Sequence, residues 1–132
     1  IGFPGGRIEP DDADVVATAL RECEEEIGLA RRHVQVLGML PDHVVVTGFR
    51  VTPVVALIEP NFTLRLDRNE VDEVFEVPLE FVLNPLNHRP RLRSFADLTV
   101  EVIDIPYGER NIWGATAGML LTLYRLLNGE VL

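Results

Sequence analysis

Residues 21–29 read Arg21-Glu22-Cys23-Glu24-Glu25-Glu26-Ile27-Gly28-Leu29, and a Gly5-Gly6-Arg7 stretch precedes them. On an α-helix Glu22, Glu25 and Glu26 fall at i, i+3 and i+4, so their carboxylates share one face. Like charges at those spacings repel by about a few tenths of a kcal/mol per pair when exposed, and by more where burial lowers the dielectric. A divalent cation converts that repulsion into coordination. Hard oxygen donors of this kind suit Mg²⁺ or Mn²⁺, which keep waters and bridge to phosphates. The competing reading is a solvated acidic face, the usual fate of a run of glutamates. Arg21 stands one turn before Glu25 and can orient it.

The surrounding pattern makes this segment the end of an amphipathic helix. Val15, Val16, Ala19, Leu20, Cys23 and Ile27 recur at helical spacing, Asp11, Asp12 and Asp14 supply cap and first-turn acids, and Gly28 stands where glycine ends helices. Upstream, the apolar start running into Gly5-Gly6 reads as the tail of a strand entering a tight loop. A chain rarely begins in mid-strand, so an N-terminal part of the domain is expected to lie outside this sequence. Downstream, residues 33–40, 43–46 and 49–58 are β-rich, separated by Pro41-Asp42 and Thr47-Gly48. Pro53 marks an edge or a bulge. Residues 64–70 form a polar connection, residues 74–77 a short apolar run, and residues 78–83 a helical turn. Residues 84–94, rich in proline, asparagine and arginine, read as a loop; residues 98–105 alternate as a strand; Pro106-Tyr107-Gly108 reads as a turn. Residues 115–127 form an apolar helix closed by Asn128-Gly129. With no repeat and no linker, the expectation is one α/β (α+β) domain spanning residues 1–132, truncated at its N-terminus.

Composition narrows the function classes. The chain has 132 residues with 47% hydrophobic and 25% charged residues, an ordinary globular balance. No apolar run is long enough for a membrane span, and no basic-then-apolar start suggests a signal peptide. The single cysteine, Cys23, leaves no disulfide framework and no cysteine-clustered metal site. These features together point to a cytoplasmic protein. Twelve basic residues, all arginine, stand against twenty-one acidic ones, a net charge of -9. A broad phosphate-reading face for nucleic acid is not expected from that balance. An acidic protein that handles polyanions needs a metal ion or a few well-placed arginines. The absence of lysine removes a Walker-type lysine and Schiff-base chemistry. His33, His43 and His88 share no ligand spacing and read as structural or surface residues. Cys23 reads as a core thiol, and Trp113 as a packing residue. Arg89, Arg91 and Arg93 alternate: they share one face if extended, where they could meet a substrate phosphate, and are simply solvated if the segment is a loop.

The segment also resembles a known family. The Nudix box has the pattern G-x5-E-x7-R-E-U-x-E-E-x-G-U, with U aliphatic, and Arg21, Glu22, Glu25, Glu26, Gly28 and Leu29 match its second half. Its first acid falls on Ala13, whereas Asp12 lies one residue earlier, as in a loop lengthened by one. That longer loop and the Phe3-Pro4-Gly5-Gly6 sequence are similar to the coenzyme A pyrophosphatase branch. So are residues 46–55, residues 70–79 and Ile112-Trp113-Gly114-Ala115-Thr116-Ala117-Gly118. The branch also carries an upstream Arg-Ser…His-x-Gly-Gln signature of which only a tail could remain here.

The resemblance implies an α/β/α sandwich with a mixed sheet, and metal-dependent hydrolysis of a nucleoside-diphosphate-linked substrate. For the branch, coenzyme A or acyl-CoA is cleaved to 4′-phosphopantetheine and adenosine 3′,5′-bisphosphate. Glu22, Glu25 and Glu26 fall on the metal-binding glutamates of an Mg²⁺ or Mn²⁺ enzyme. Arg21, Glu22 and Glu70 are the catalytic candidates, with Glu22 and Glu70 as alternative bases. Gly5, Gly6 and Arg7 are the substrate-binding candidates, a Gly5 or Gly6 carbonyl also being a possible ligand. The implied partner is a small-molecule nucleotide, with no nucleic acid and no membrane, and a homodimer by likeness alone. Hydrolysis of ADP-ribose or another nucleotide, or a non-catalytic nucleotide-binding module, are the alternatives.

Overall fold

The structure, a computed structural model, describes residues 1–45 and 47–130; Val46, assigned above to the second β-rich run, lies outside the described residues, as do residues 131–132. The chain divides into two compact units. One comprises Phe3–Leu40 and Thr52–Phe75, the other Ile1–Gly2, Pro41–Val51 and Glu76–Leu132.

In the first unit, helix α1 spans Val15–Ile27. Asp14 is its N-cap, its carboxylate accepting from the Ala17 N–H at 2.8 Å. Gly28 closes it in the left-handed region at φ 73°, and its N–H bonds back to the last turn. A 3₁₀ turn at Arg31–His33 then leads into β1 (Val34–Met39), which pairs antiparallel with β4 (Val54–Ile58). Their register shifts between Val36 and Gly38, a bulge in β1. Leu29 and Leu40 are the buried apolar side chains of this unit. The last turn of α1 also docks the connection that follows β4. The Arg65 N–H donates to the Ile27 carbonyl at 2.8 Å and the Asp67 N–H to the Glu26 carbonyl at 2.9 Å. These bonds satisfy carbonyls that a helix end leaves open.

The second unit holds the short ladder of β2 (His43–Val44) with β3 (Arg50–Val51) and a three-stranded sheet. Before that sheet come helix α2 (Leu79–Val82) and a 3₁₀ turn at Pro85–Asn87. The sheet is a meander of β5 (Arg89–Phe95), β6 (Leu98–Tyr107) and β7 (Arg110–Ile112), and α3 (Gly114–Leu127) follows. Val82, Ile105, Ile112 and Ala117 form the core, with Phe81, Ile103 and Leu120 packed on it. His43 lies over Gly118, where an added Cβ would come within 2.7 Å of the imidazole.

The expected combination of helices and sheet is present, and every ladder among the described residues is antiparallel. Four local expectations are corrected. Residues 84–94 are not all loop, because residues 89–95 form β5: a seven-residue ladder with β6 satisfies its backbone, and Pro90 is tolerated at an outer strand. Pro106 and Tyr107 belong to β6, and the chain reverses one step later, at Gly108 with φ 61°. Residues 1–6 carry no strand. Residues 49–58 split into β3 and β4 around Thr52-Pro53.

Candidate active site

Arg21 organises the first unit's acidic cluster. Its guanidinium binds Asp12 through two bonds, Nε to Oδ1 at 3.0 Å and Nη2 to Oδ2 at 3.1 Å. Nη1 reaches Glu22 Oε1 at 3.0 Å and Glu25 Oε2 at 3.1 Å, and pairs with Glu9 at 3.5 Å. Nη2 also donates to the Arg7 carbonyl at 3.1 Å, which ties the glycine-rich loop to the helix. Asp12 is itself nearly enclosed, with its side chain 6% exposed. Its Oδ2 accepts from the hydroxyl of buried Thr18 and from the Glu9 N–H, both at 2.9 Å. The paired guanidinium and these donors hold the Asp12 carboxyl well below the usual carboxylate range.

Glu22 and Glu26 face each other. Burial, together with a hydrogen bond to Glu22 and its charge, pushes the Glu26 carboxyl up to about 7. The Gly5 N–H bonds Glu26 and opposes that rise, and the charge of Glu70 adds to it. The 65–70 connection, pinned to the end of α1, thus carries Glu70 close enough to act on Glu26. Gly6 leaves the Glu22 carboxylate its place, since a Cβ there would displace it. Glu25 points elsewhere: more than half exposed, it is held by Arg21. Among the described residues no three histidine, cysteine or acidic side chains are gathered tightly enough to hold an ion.

Of the residues singled out in the sequence, Glu22, Glu26, Gly5, Gly6 and Glu70 therefore meet in one place. Arg21 and Glu25 form the flank, and Arg7 joins through its carbonyl. Asp12 and Thr18 were missing from the expected site. The displaced acid was visible in the loop spacing, whereas no motif or spacing in the sequence marks Thr18. Cys23 is half-buried, and desolvation followed by the nearby Glu26 and Glu22 charges pushes its thiol up, away from nucleophilic use.

The two opposed carboxylates are hard oxygen donors of the kind a divalent cation takes. They are held against each other at a glycine turn, where burial together with the hydrogen bond and charge of Glu22 pushes the Glu26 carboxyl up to about 7. A helix terminated by an αL glycine, a Gly-Gly loop at its acidic face and a guanidinium clamp thus occur together in the first unit. The chain belongs to the NUDIX domain family, whose model matches residues 1–98. The family's hydrolases use divalent metal ions and act on small-molecule nucleotides. Similar proteins include uncharacterized Nudix hydrolases NudL of Escherichia coli O157:H7 (strain EC4115 / EHEC) and Shigella boydii serotype 18 (strain CDC 3083-94 / BS512). Each is 39% identical over 123 residues, covering 93% of this chain and 64% of the relative. The chain thus spans somewhat less than two thirds of the length of these relatives. No helix among the described residues is long and apolar enough to cross a membrane.

Proposed function

We propose that this chain is a Nudix pyrophosphohydrolase that cleaves a nucleoside-diphosphate-linked substrate. Its preferred substrate is coenzyme A or an acyl-CoA, yielding 4′-phosphopantetheine and adenosine 3′,5′-bisphosphate. The observation that carries the chemistry is the opposed Glu22–Glu26 pair beside Gly5-Gly6. The substrate preference rests on the resemblance of residues 46–55, 70–79 and 112–118 to the coenzyme A branch.

Glu22 and Glu26 would hold Mg²⁺ or Mn²⁺, with Glu25 as the third carboxylate of the set. A bound divalent ion neutralises diphosphate oxygens and makes a coordinated water more acidic. The chain's own groups do the rest. Arg21 fixes the Glu22 and Glu25 carboxylates, so that little reorganisation is left for the moment of reaction. Gly5 and Gly6, lacking side chains, let a phosphate approach the backbone closely. Glu70 accepts the proton of the attacking water as its oxygen bonds to phosphorus and the bridging P–O bond breaks.

An assay with coenzyme A, ADP-ribose and NADH tests the reading. Turnover is expected to be fastest with coenzyme A, to vanish in EDTA and to return with Mg²⁺ or Mn²⁺. Absent coenzyme A turnover, or turnover equal to that of ADP-ribose, overturns the substrate. Failure of all three at millimolar metal overturns the activity.

A further inference from the structure

The loop between the glycine pair and α1 is held by the helix that it precedes. Glu9-Pro10-Asp11-Asp12 closes on itself: the Asp12 N–H donates to the Glu9 carbonyl and the Glu9 N–H to Asp12 Oδ2, both at 2.9 Å. Proline at the second position sets the φ that such a turn needs. The turn presents the Asp12 carboxylate to α1, where two side chains receive it. Arg21 grips both oxygens, and Thr18, one helical turn earlier, donates its hydroxyl to Oδ2 at 2.9 Å.

Thr18 has a second acceptor within reach. A helical threonine can return its hydroxyl to the carbonyl four residues back, and the Asp14 carbonyl stands at 3.2 Å. The hydroxyl has one proton to give. The Asp12 contact is the shorter and ends on a charge, and bonds to ionised acceptors are the stronger kind. Both groups are out of bulk water, with Thr18 4% exposed and the Asp12 side chain 6% exposed. The consequence runs along Arg21. Paired bonds from Nε and Nη2 to two carboxylate oxygens are directional, so the rotation of the Asp12 carboxylate sets the plane of the guanidinium. With that plane held, Nη1 stays aimed at Glu22 Oε1 and Glu25 Oε2, at 3.0 and 3.1 Å. Without the hydroxyl, Asp12 is free to turn and the guanidinium turns with it.

We propose that Thr18 is a positioning residue: its hydroxyl sets the Asp12 carboxylate and, through Arg21, the aim of Glu22 and Glu25. The kinetic part of this inference rests on the hydrolase reading; the geometric part does not. Thr18→Val keeps the shape of the side chain and removes the donor, whereas Thr18→Ser keeps the donor. With coenzyme A at saturating Mg²⁺, Thr18→Val is expected to lower kcat about tenfold with KM within about twofold, and Thr18→Ser to recover most of the loss. In an Asp12→Ala background Thr18→Val is expected to lower kcat no further, because the acceptor through which it acts is gone. The Arg21 Nε–H resonance of metal-free protein, identified by its absence in Arg21→Lys, provides a readout without turnover. It is expected to exchange with solvent about tenfold faster in Thr18→Val than in the parent or Thr18→Ser. A Thr18→Val protein that melts earlier but keeps its kcat overturns the proposal. So do a Thr18→Ser protein as slow as Thr18→Val, additive losses in the double variant, or unaltered Arg21 exchange. If the parent hydrolyses no substrate, the hydrolase reading fails, and the exchange measurement alone decides whether Thr18 holds the clamp.

Discussion

Glu26 is the residue on which the proposed chemistry turns. Its carboxyl titrates near 7 because desolvation and Glu22 penalise its ionised form. The folded state therefore binds a proton more tightly than the unfolded chain. The stabilisation from that proton is complete below about pH 4.5 and is lost as pH rises through about 7. Metal-free protein should lose thermal stability across that window, and a ¹³C carboxyl titration should place Glu26 near its upper end. Magnesium should move the resonance to the ionised form at lower pH, because a bound ion favours the carboxylate. Glu26→Gln should flatten the pH dependence and leave the metal-free protein as stable as, or more stable than, the parent at pH 8. Metal-dependent turnover should fall by about a hundredfold or more. Undiminished turnover would remove Glu26 from the site. Asp12 behaves in the opposite sense. Its lowered pKa contributes stability above the ordinary carboxylate range, and that contribution is lost as pH falls. Asp12→Asn should accordingly melt earlier at pH 7 and approach the parent toward pH 2. Its turnover should also drop, since Arg21 loses one of the two Asp12 acceptors that aim it and the charge behind them.

At the level of elements, the end of α1 does two things at once. Gly28 takes φ 73°, and an added Cβ would meet Arg65 Cβ at 2.7 Å and the Arg65 backbone nitrogen at 2.9 Å. Gly28→Ala therefore carries the left-handed penalty of about 1–2 kcal/mol and also pushes the 65–70 connection off the helix. A lower denaturation midpoint and a lower kcat are both expected, as Glu70 shifts away from Glu26. Gly5→Ala is the control: a methyl group added there would meet no atom within 4 Å, so stability should hold within about 0.5 kcal/mol. If both variants melt alike, close docking of the connection is not what Gly28 secures. The helix and its caps were legible from spacing alone. Strand β5 was not, because proline and arginine are poor strand formers in isolation, and it is the partner β6 that makes residues 89–95 extend.

For the molecule as a whole, each unit is tested by its own buried residues. Ile105 is fully enclosed at the centre of the second unit's core. Ile105→Ala should cost about 2–5 kcal/mol, read as an earlier Trp113 fluorescence transition, since Trp113 belongs to the same unit. An unchanged transition would mean that this core does not hold the sheet to α3. The family assignment rests on residues 1–98, while most of the meander and all of α3 lie beyond that match or at its edge.

By itself the sequence determined the helix, its αL stop, the glycine loop and the identity of the acidic residues, because each depends on spacing within a few turns of chain. Only the tertiary structure decided which carboxylates meet. Glu22 faces Glu26 while Glu25 is drawn off by Arg21, and Asp12 and Thr18 anchor that arginine. It also decided that three alternating arginines form a strand face, with one of them over an exposed indole. Those outcomes depend on hydrogen-bond partners and neighbouring charges distant along the chain, which local pattern does not encode.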